Sequence, residues 1–449
     1  MENATSDGLL QFPPDFRWGS AVAAHQVEGD LNNDWAQWEK QGKIRDGSDS
    51  SKSCQWWAGR YLEDLDLARS MGHNALRLSL EWSRLEPTEG TWDDAAVVRY
   101  RAMLTAMRER GIEPMVTLFH FTSPLWLMAQ GGWESERTIA HFERFARQAV
   151  ETFGDLVDLW CTINEINVYA AYSYLLGNWP PQKRSLGATF RVMRHQLCGH
   201  AAAYRAIHRQ QPQARVGLAQ HLRIFDPLNP SSPLDRWAAR VQDVLFNGLV
   251  LGPPADGVLR PPLAVCQRIP ELADSQDYIG LNYYSRDMVS FDLSKPGLLF
   301  GRRQAMPSAE FSMEGWGEIY PEGLYRLLKR LDGYGKPIYI TETGIPDNTD
   351  SRRPRFLITH LAATHRALSE GLPVKGFYFW SLIDNFEWAE GFGARFGLID
   401  LDLASGRRTL KPSGRLYADI VRQGGLTDEM LQQHAPELLS QRWPGANRH

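Results

Sequence analysis

Eight short runs of apolar, β-branched and aromatic residues recur along the chain, each too apolar to keep one face in water. They cover residues 16–24, 75–80, 113–120, 159–163, 215–221, 277–284, 338–342 and 374–381. After each comes a stretch whose apolar residues fall at helical spacing: 55–71, 95–110, 138–153, 189–209, 234–249, 321–331, 353–371 and 413–421. Gly72 and Gly111 supply stops for the first two of these helices. Eight strand-then-helix units with buried strands predict an α/β protein of the closed parallel kind, a (β/α)8 TIM barrel with extended βα loops. The loop 285–320 has no periodicity and is long enough to form a wall or lid.

A chain of 449 residues could hold two or three domains, but no Pro/Gly/Ser-rich linker or charge run divides it. The expectation is therefore one catalytic domain over 1–449, with a core of about 12–423 and a C-terminal extension of about 424–449. A formal net charge of −4 gives no electrostatic reason for a nucleic acid or an anionic membrane as partner. The basic run 352–355 reads as a solvated helix start. Residues 1–16 lack the pattern of a signal peptide, and no apolar run reaches membrane-spanning length. Cys54, Cys161, Cys198 and Cys266 are isolated, as in a reduced, cytoplasmic protein. The signatures of zinc proteases, nucleotide-binding loops and serine hydrolases are missing, so neither a cofactor nor a metal is expected. Sixteen Trp, each a flat apolar face with an N–H donor, point towards carbohydrate.

Candidate chemistry lies at the strand ends. His120, Glu165, Asn282, Glu342 and Trp380 fall at or beside the C-terminal tips of the third, fourth, sixth, seventh and eighth strands, and Gln26 just beyond the first. In a parallel barrel those tips converge on one mouth. Two carboxylates there suit acid/base and nucleophilic work. A barrel of radius about 8 Å would leave the two carboxyls roughly 5–7 Å apart, a spacing that fits a glycosidic bond between them and leaves retention and inversion both open.

Several ordered motifs carry a resemblance. Phe16-Arg17-Trp18-Gly19 with Gln26 and Glu28-Gly29, Trp82-Ser83-Arg84, Thr162-Ile163-Asn164-Glu165, Gly280-Leu281-Asn282-Tyr283-Tyr284, Ile340-Thr341-Glu342-Thr343-Gly344 and the run Trp380 to Trp388 resemble glycoside hydrolase family 1, the retaining β-glucosidases and their relatives. The resemblance implies Glu165 as acid/base and Glu342 as nucleophile, acting on terminal β-glucosyl, and also β-fucosyl or β-galactosyl, residues of a small-molecule glycoside. It implies Gln26, His120, Asn164, Glu387 and Trp388 as partners of the sugar hydroxyls and Trp380 as the stacking platform. Asn282 and Tyr284 would border the sugar and orient the nucleophile, and Arg77 would pair with it.

Three positions depart from the family's usual pattern: Ile166 in place of Pro, Thr343-Gly344 in place of Asn-Gly, and Phe121 in place of Trp. They bear on leaving-group preference and sugar fit. Relatives that accept 6-phosphosugars typically carry a Ser with a nearby Lys and Tyr where this chain has Glu387, Ala394-Arg395 and Phe396, so unphosphorylated glycosides are expected. The competing readings are a sugar-binding barrel without catalysis and an enzyme that mainly transfers glycosyl groups to other sugars.

Overall fold

Eight parallel strands close into a ring: β1 (Arg17–Ala21), β2 (Ala75–Ser79), β3 (Glu113–Phe119), β4 (Leu159–Asn164), β5 (Arg215–Pro227), β6 (Tyr278–Phe291), β7 (Ile338–Thr343) and β8 (Val374–Trp380). Each pairs with the next, and β8 returns to β1 through Gly376–Arg17 to Trp380–Ala21. A computed structural model describes residues 9–306, 308–313 and 316–440. The signal-peptide reading over 1–16 and the extension to 449 fall partly outside the described residues.

The helices that follow the strands are α1 (Tyr61–Ser70), α2 (Asp94–Glu109), α3 (Arg137–Phe153), α4 (Leu186–Gln210), α5 (Pro233–Asp243), α6 (Pro321–Asp332), α7 (Arg353–Ser369) and α8 (Pro412–Gln423). Their starts are written in side chains: Asp93 caps α2 through the Ala96 N–H at 2.9 Å, and Ser232, followed by Pro233, caps α5 through the Asp235 N–H at 3.2 Å. α1 starts later than the periodicity predicts, because Gln55 is left-handed and Gly59 has φ +98°. The helix expected over 234–249 is interrupted by a wider turn at Val244–Gly248 before Leu249–Asp256.

Two further expectations need correction. The loop 285–320 is partly sheet: β6 continues beside β5 as far as Val289 opposite Pro227, and Gly301–Gln304 folds back on it antiparallel. Val289 packs with Phe225, Ala238 and Ala239, and that small apolar cluster gives the strand extension a partner beyond the rim. Arg353, in the run read as solvated, is fully buried; it bonds the Asp350 carboxylate and the carbonyls of Asp347 and Arg395 at 2.8 and 2.7 Å.

The N-terminal end of the barrel is filled. Tyr278, Tyr339 and Tyr378 pack with Ala75, Met115 and Leu159, and Glu113 bridges Arg17 at 2.5 Å and Arg215 at 2.8 Å. The chemistry-bearing side chains lie one layer above this plug, towards the C-terminal mouth.

Candidate active site

Strand period decides which side chains enter the mouth. From Tyr278 to Tyr284 the residues of β6 alternate, so Asn282 and Tyr284 point inward while Tyr283 points out and donates to the Tyr320 carbonyl at 2.6 Å; the register against β5 shifts only beyond Tyr283. On β7 the alternation breaks. Thr341 reaches Asn282 Oδ1 at 2.7 Å, yet its neighbour Glu342 also points inward, because the pairing register shifts on both sides of β7 after Ile340. Gly344 follows because a Cβ there would run into the Trp380 carbonyl oxygen. Close approach to β8 is what requires that glycine.

On β4 a similar irregularity precedes Asn164, and Glu165 then sits in the left-handed region at φ 47°. Such a backbone costs about 1–2 kcal/mol for a residue with a Cβ. The Glu165 N–H bond to Ala219 O at 2.8 Å and the short helix Ile166–Ala170 beyond it hold the carboxylate in place.

The two carboxylates are joined through three side chains. Arg77, fully buried on β2, donates Nη1 to Glu342 Oε1, Nη2 to Asn164 Oδ1 at 2.7 Å and Nε to Thr117 Oγ1 at 3.0 Å. Asn282 Nδ2 donates to Asn164 Oδ1 at 3.1 Å and to Glu165 Oε1 at 2.8 Å. Tyr284 OH donates to Glu342 Oε2 at 2.6 Å. Asn282 was expected to orient the nucleophile; it holds Glu165 instead, because Glu342 already has Arg77 and Tyr284 on its two oxygens.

The remaining predicted residues gather on the other side of the mouth. Gln26 Nε2 donates to Glu387 Oε2 at 3.2 Å, Asn385 Oδ1 at 3.2 Å and Phe386 O at 2.8 Å, while its Oε1 is buried without a partner among the described residues. Asn164 Nδ2 meets His120 Nε2 at 3.2 Å, and the His120 ring lies 6.0 Å from Trp380 and 5.9 Å from Trp388. Phe121 packs edge-on to Trp388 at 5.2 Å and against Trp179 at 5.0 Å. Glu28 and Arg84 serve the scaffold: they pair at 2.7 Å, with Tyr100 OH on the other Glu28 oxygen at 2.7 Å.

Burial dominates the electrostatics. It pushes Glu342 up to about 7 against the pull of Arg77, the Glu165 charge adds to the rise, and the Tyr284 hydroxyl opposes it. Burial and then the Glu342 charge push Glu387 up to about 8, with Gln26 and Trp380 bonding its carboxylate in opposition. Burial, reinforced by Arg77, drives His120 well below the usual histidine range, so it is a neutral ring. Burial and the Glu342 charge hold Tyr284 protonated. Among the described residues no three His, Cys, Asp or Glu side chains converge as a metal site.

Against known proteins, the model of Glycosyl hydrolase family 1 matches residues 9–426. The chain belongs to glycosyl hydrolase family 1. It is 31% identical to beta-glucosidase A of Thermotoga maritima over 94% of this chain and 100% of that one, and 30% identical to a beta-galactosidase of Sulfolobus acidocaldarius over 94% and 97%. Its fold superimposes on a beta-glycosidase from Pyrococcus horikoshii with a TM-score of 0.88 at 37% identity, covering 95% of this chain and 98% of that one. The Thermotoga maritima beta-glucosidase in complex with glucoimidazole gives 0.86 at 30% identity, covering 93% and 100%. The family 1 chain described here is thus a glycoside hydrolase with a (β/α)8 barrel.

Sequence reasoning missed one residue of this site. His221 on β5 brings Nδ1 within 3.1 Å of Glu165 Oε1. The inward series Gly217, Ala219, His221 at period two on the fifth strand was the available signal.

Proposed function

We propose that the chain hydrolyses terminal β-D-glucosyl residues, and the related fucosides and galactosides, with retention of configuration. Glu342 is the nucleophile and Glu165 the acid/base. The observation that carries this assignment is the asymmetry between the two carboxylates. Glu342 meets a permanent cation on one oxygen and a phenol on the other, whereas Glu165 has amide and imidazole partners and no arginine or lysine in contact among the described residues. A cation in contact favours the charged form, so Glu342, paired with Arg77, is the carboxylate placed to attack, and Glu165, with no cation on it, is the one placed to give and take the proton.

In the first step Glu342 attacks the anomeric carbon, the glycosidic bond breaks, and the Glu165 proton goes to the departing oxygen. Esterification removes the Glu342 charge. Glu165, now a carboxylate, takes a proton from water as that water attacks the anomeric carbon, and the Glu342 ester is released. Gln26, His120, Asn164, Glu387 and Trp388 bind the sugar hydroxyls, and Trp380 lies under its apolar face.

The proposal extends to unphosphorylated sugars. Arg395, the one arginine near Glu387 in sequence, turns away to Asp400 at 3.1 Å and is 42% exposed. With Glu387 raised to about 8, rejection of a phosphate rests less on like charge than on burying a dianion with no free cation beside it among the described residues. The chain acts as one catalytic unit, its Leu9–Gln11 strand pairing with Gly425–Thr427. A cytoplasmic setting fits its four free cysteines, two of them buried.

The deciding experiment is labelling. A 2-fluoro glycoside should trap a covalent ester on Glu342, and Glu342→Gln should lose turnover and labelling with its fold intact. A label on any other carboxylate sinks the assignment.

A further inference from the structure

We propose that His221 is a positioning residue for Glu165, holding it so that its transferable proton resides on Oε2, the oxygen that faces the leaving group. This rests on the reading of Glu165 as the acid/base.

The Arg77 guanidinium can only donate. Its Nη2 therefore fixes Asn164 Oδ1 as an acceptor at 2.7 Å. Whatever Asn282 presents to that oxygen must be its N–H end, which sets the Asn282 amide with Nδ2 also towards Glu165 Oε1 at 2.8 Å. Thr341 Oγ1 on Asn282 Oδ1 at 2.7 Å completes the same orientation. Glu165 Oε1 is thus an acceptor.

His221 Nδ1 approaches that same oxygen at 3.1 Å. His221 and Asn282 are register partners on the adjacent strands β5 and β6, so two neighbouring strands aim their side chains at one carboxyl oxygen. His221 Nε2 is buried and meets no acceptor among the described residues that would hold a proton there. The proton therefore belongs on Nδ1, and His221 donates. If Oε1 carried the carboxyl proton instead, the proton would point into His221 Nδ1 and away from the glycosidic oxygen. Two donors on Oε1 leave Oε2 as the site of the acidic proton, and they stabilise the carboxylate once that proton has gone.

The imidazole is held for this task. Its ring lies 5.5 Å from that of Tyr284, the Phe246 ring meets it edge-on at 5.6 Å, and Asn167 Nδ2 ties down the His221 carbonyl at 2.8 Å. The side chain is 14% exposed.

The test is a series of aryl β-glucosides of graded leaving-group acidity, applied to His221→Leu, His221→Asn and, in parallel, Glu165→Ala. Asn can place an N–H where imidazole Nδ1 stood; Leu keeps bulk without a donor. His221→Leu should lose about tenfold to a hundredfold in kcat/KM on poor leaving groups, part of the 10²–10⁴ that general acid catalysis supplies, and less than about threefold on a dinitrophenyl glucoside. His221→Asn should stay within about threefold of wild type throughout, which also covers the case in which the Leu variant folds badly. Equal losses across the series in both variants, or an Asn variant as impaired as Leu, overturn the inference. If Glu165→Ala itself shows no dependence on the leaving group, the acid/base reading falls and this inference with it. A steep Glu165→Ala dependence beside a flat His221→Leu overturns the His221 role alone.

Discussion

Arg77→Met isolates what the guanidinium does for Glu342. The wild-type side chain holds Glu342 Oε1, Asn164 Oδ1 and Thr117 Oγ1 from a fully buried position. Two unit charges about 4 Å apart at an effective dielectric near 20 attract by about 4 kcal/mol, equivalent to about 3 pKa units. Without Arg77, burial and the neighbouring Glu165 act on Glu342 with no cation in opposition, and its pKa should rise by about that amount. Below the new midpoint the ionised fraction of the nucleophile falls about tenfold for each unit of rise. The stability cost should stay below the 3–5 kcal/mol typical of breaking a buried pair, since Glu342 escapes the unpaired charge by taking up a proton. The assay is the rate of inactivation by a dinitrophenyl 2-fluoro glycoside against pH, because that leaving group departs without help and keeps Glu165 silent. The midpoint should move up by about 3 units in Arg77→Met and stay near wild type in Arg77→Lys. A uniform loss of rate with an unmoved midpoint would refute the reasoning and leave Arg77 a purely geometric role.

Glu165→Ala should slow poor leaving groups far more than activated ones, and added azide should restore rate with a β-glycosyl azide as product; an α-azide would count against retention. Comparing kcat/KM for nitrophenyl β-glucoside and its 6-phosphate should favour the unphosphorylated sugar by two orders of magnitude or more, on the order of the several kcal/mol that an uncompensated buried charge costs. Equal use of the phosphate would mean that Glu387 and Arg395 have been misread. Asp34 is pushed from 3.8 to about 8 by burial first and the Glu81 charge second, against bonds from the Ser123 and Trp35 N–H groups. Its folded value is raised, so the native state keeps a proton that the unfolded chain has lost, and that stabilisation disappears as pH rises through 8. Between about pH 4 and 8 the unfolding free energy should therefore fall, and Asp34→Asn should make the slope shallower by up to about 1.4 kcal/mol per pH unit. Urea unfolding at several pH values reads this, and an unchanged slope would contradict it.

Much of this protein follows from local chemistry. The eight buried runs predict the barrel because a strand without a polar face must be covered on both sides, and a parallel strand needs a crossover helix. Asn282 and Tyr284 could be assigned inward from the period-two alternation of β6 alone. The strand-tip positions of Glu165 and Glu342 were equally legible. What the linear pattern could not show were the register shifts before Asn164 and after Ile340 that turn consecutive residues into one mouth. Nor could it show that Asn282 serves Glu165 rather than Glu342, or that Arg353 is buried among carbonyls. Those outcomes depend on which donors from other strands reach each oxygen first, and on how much water remains around them. His221 marks the boundary: its inward direction follows from its own strand, but its contact with Glu165 exists only because β5 closes against β6 and places it level with Asn282.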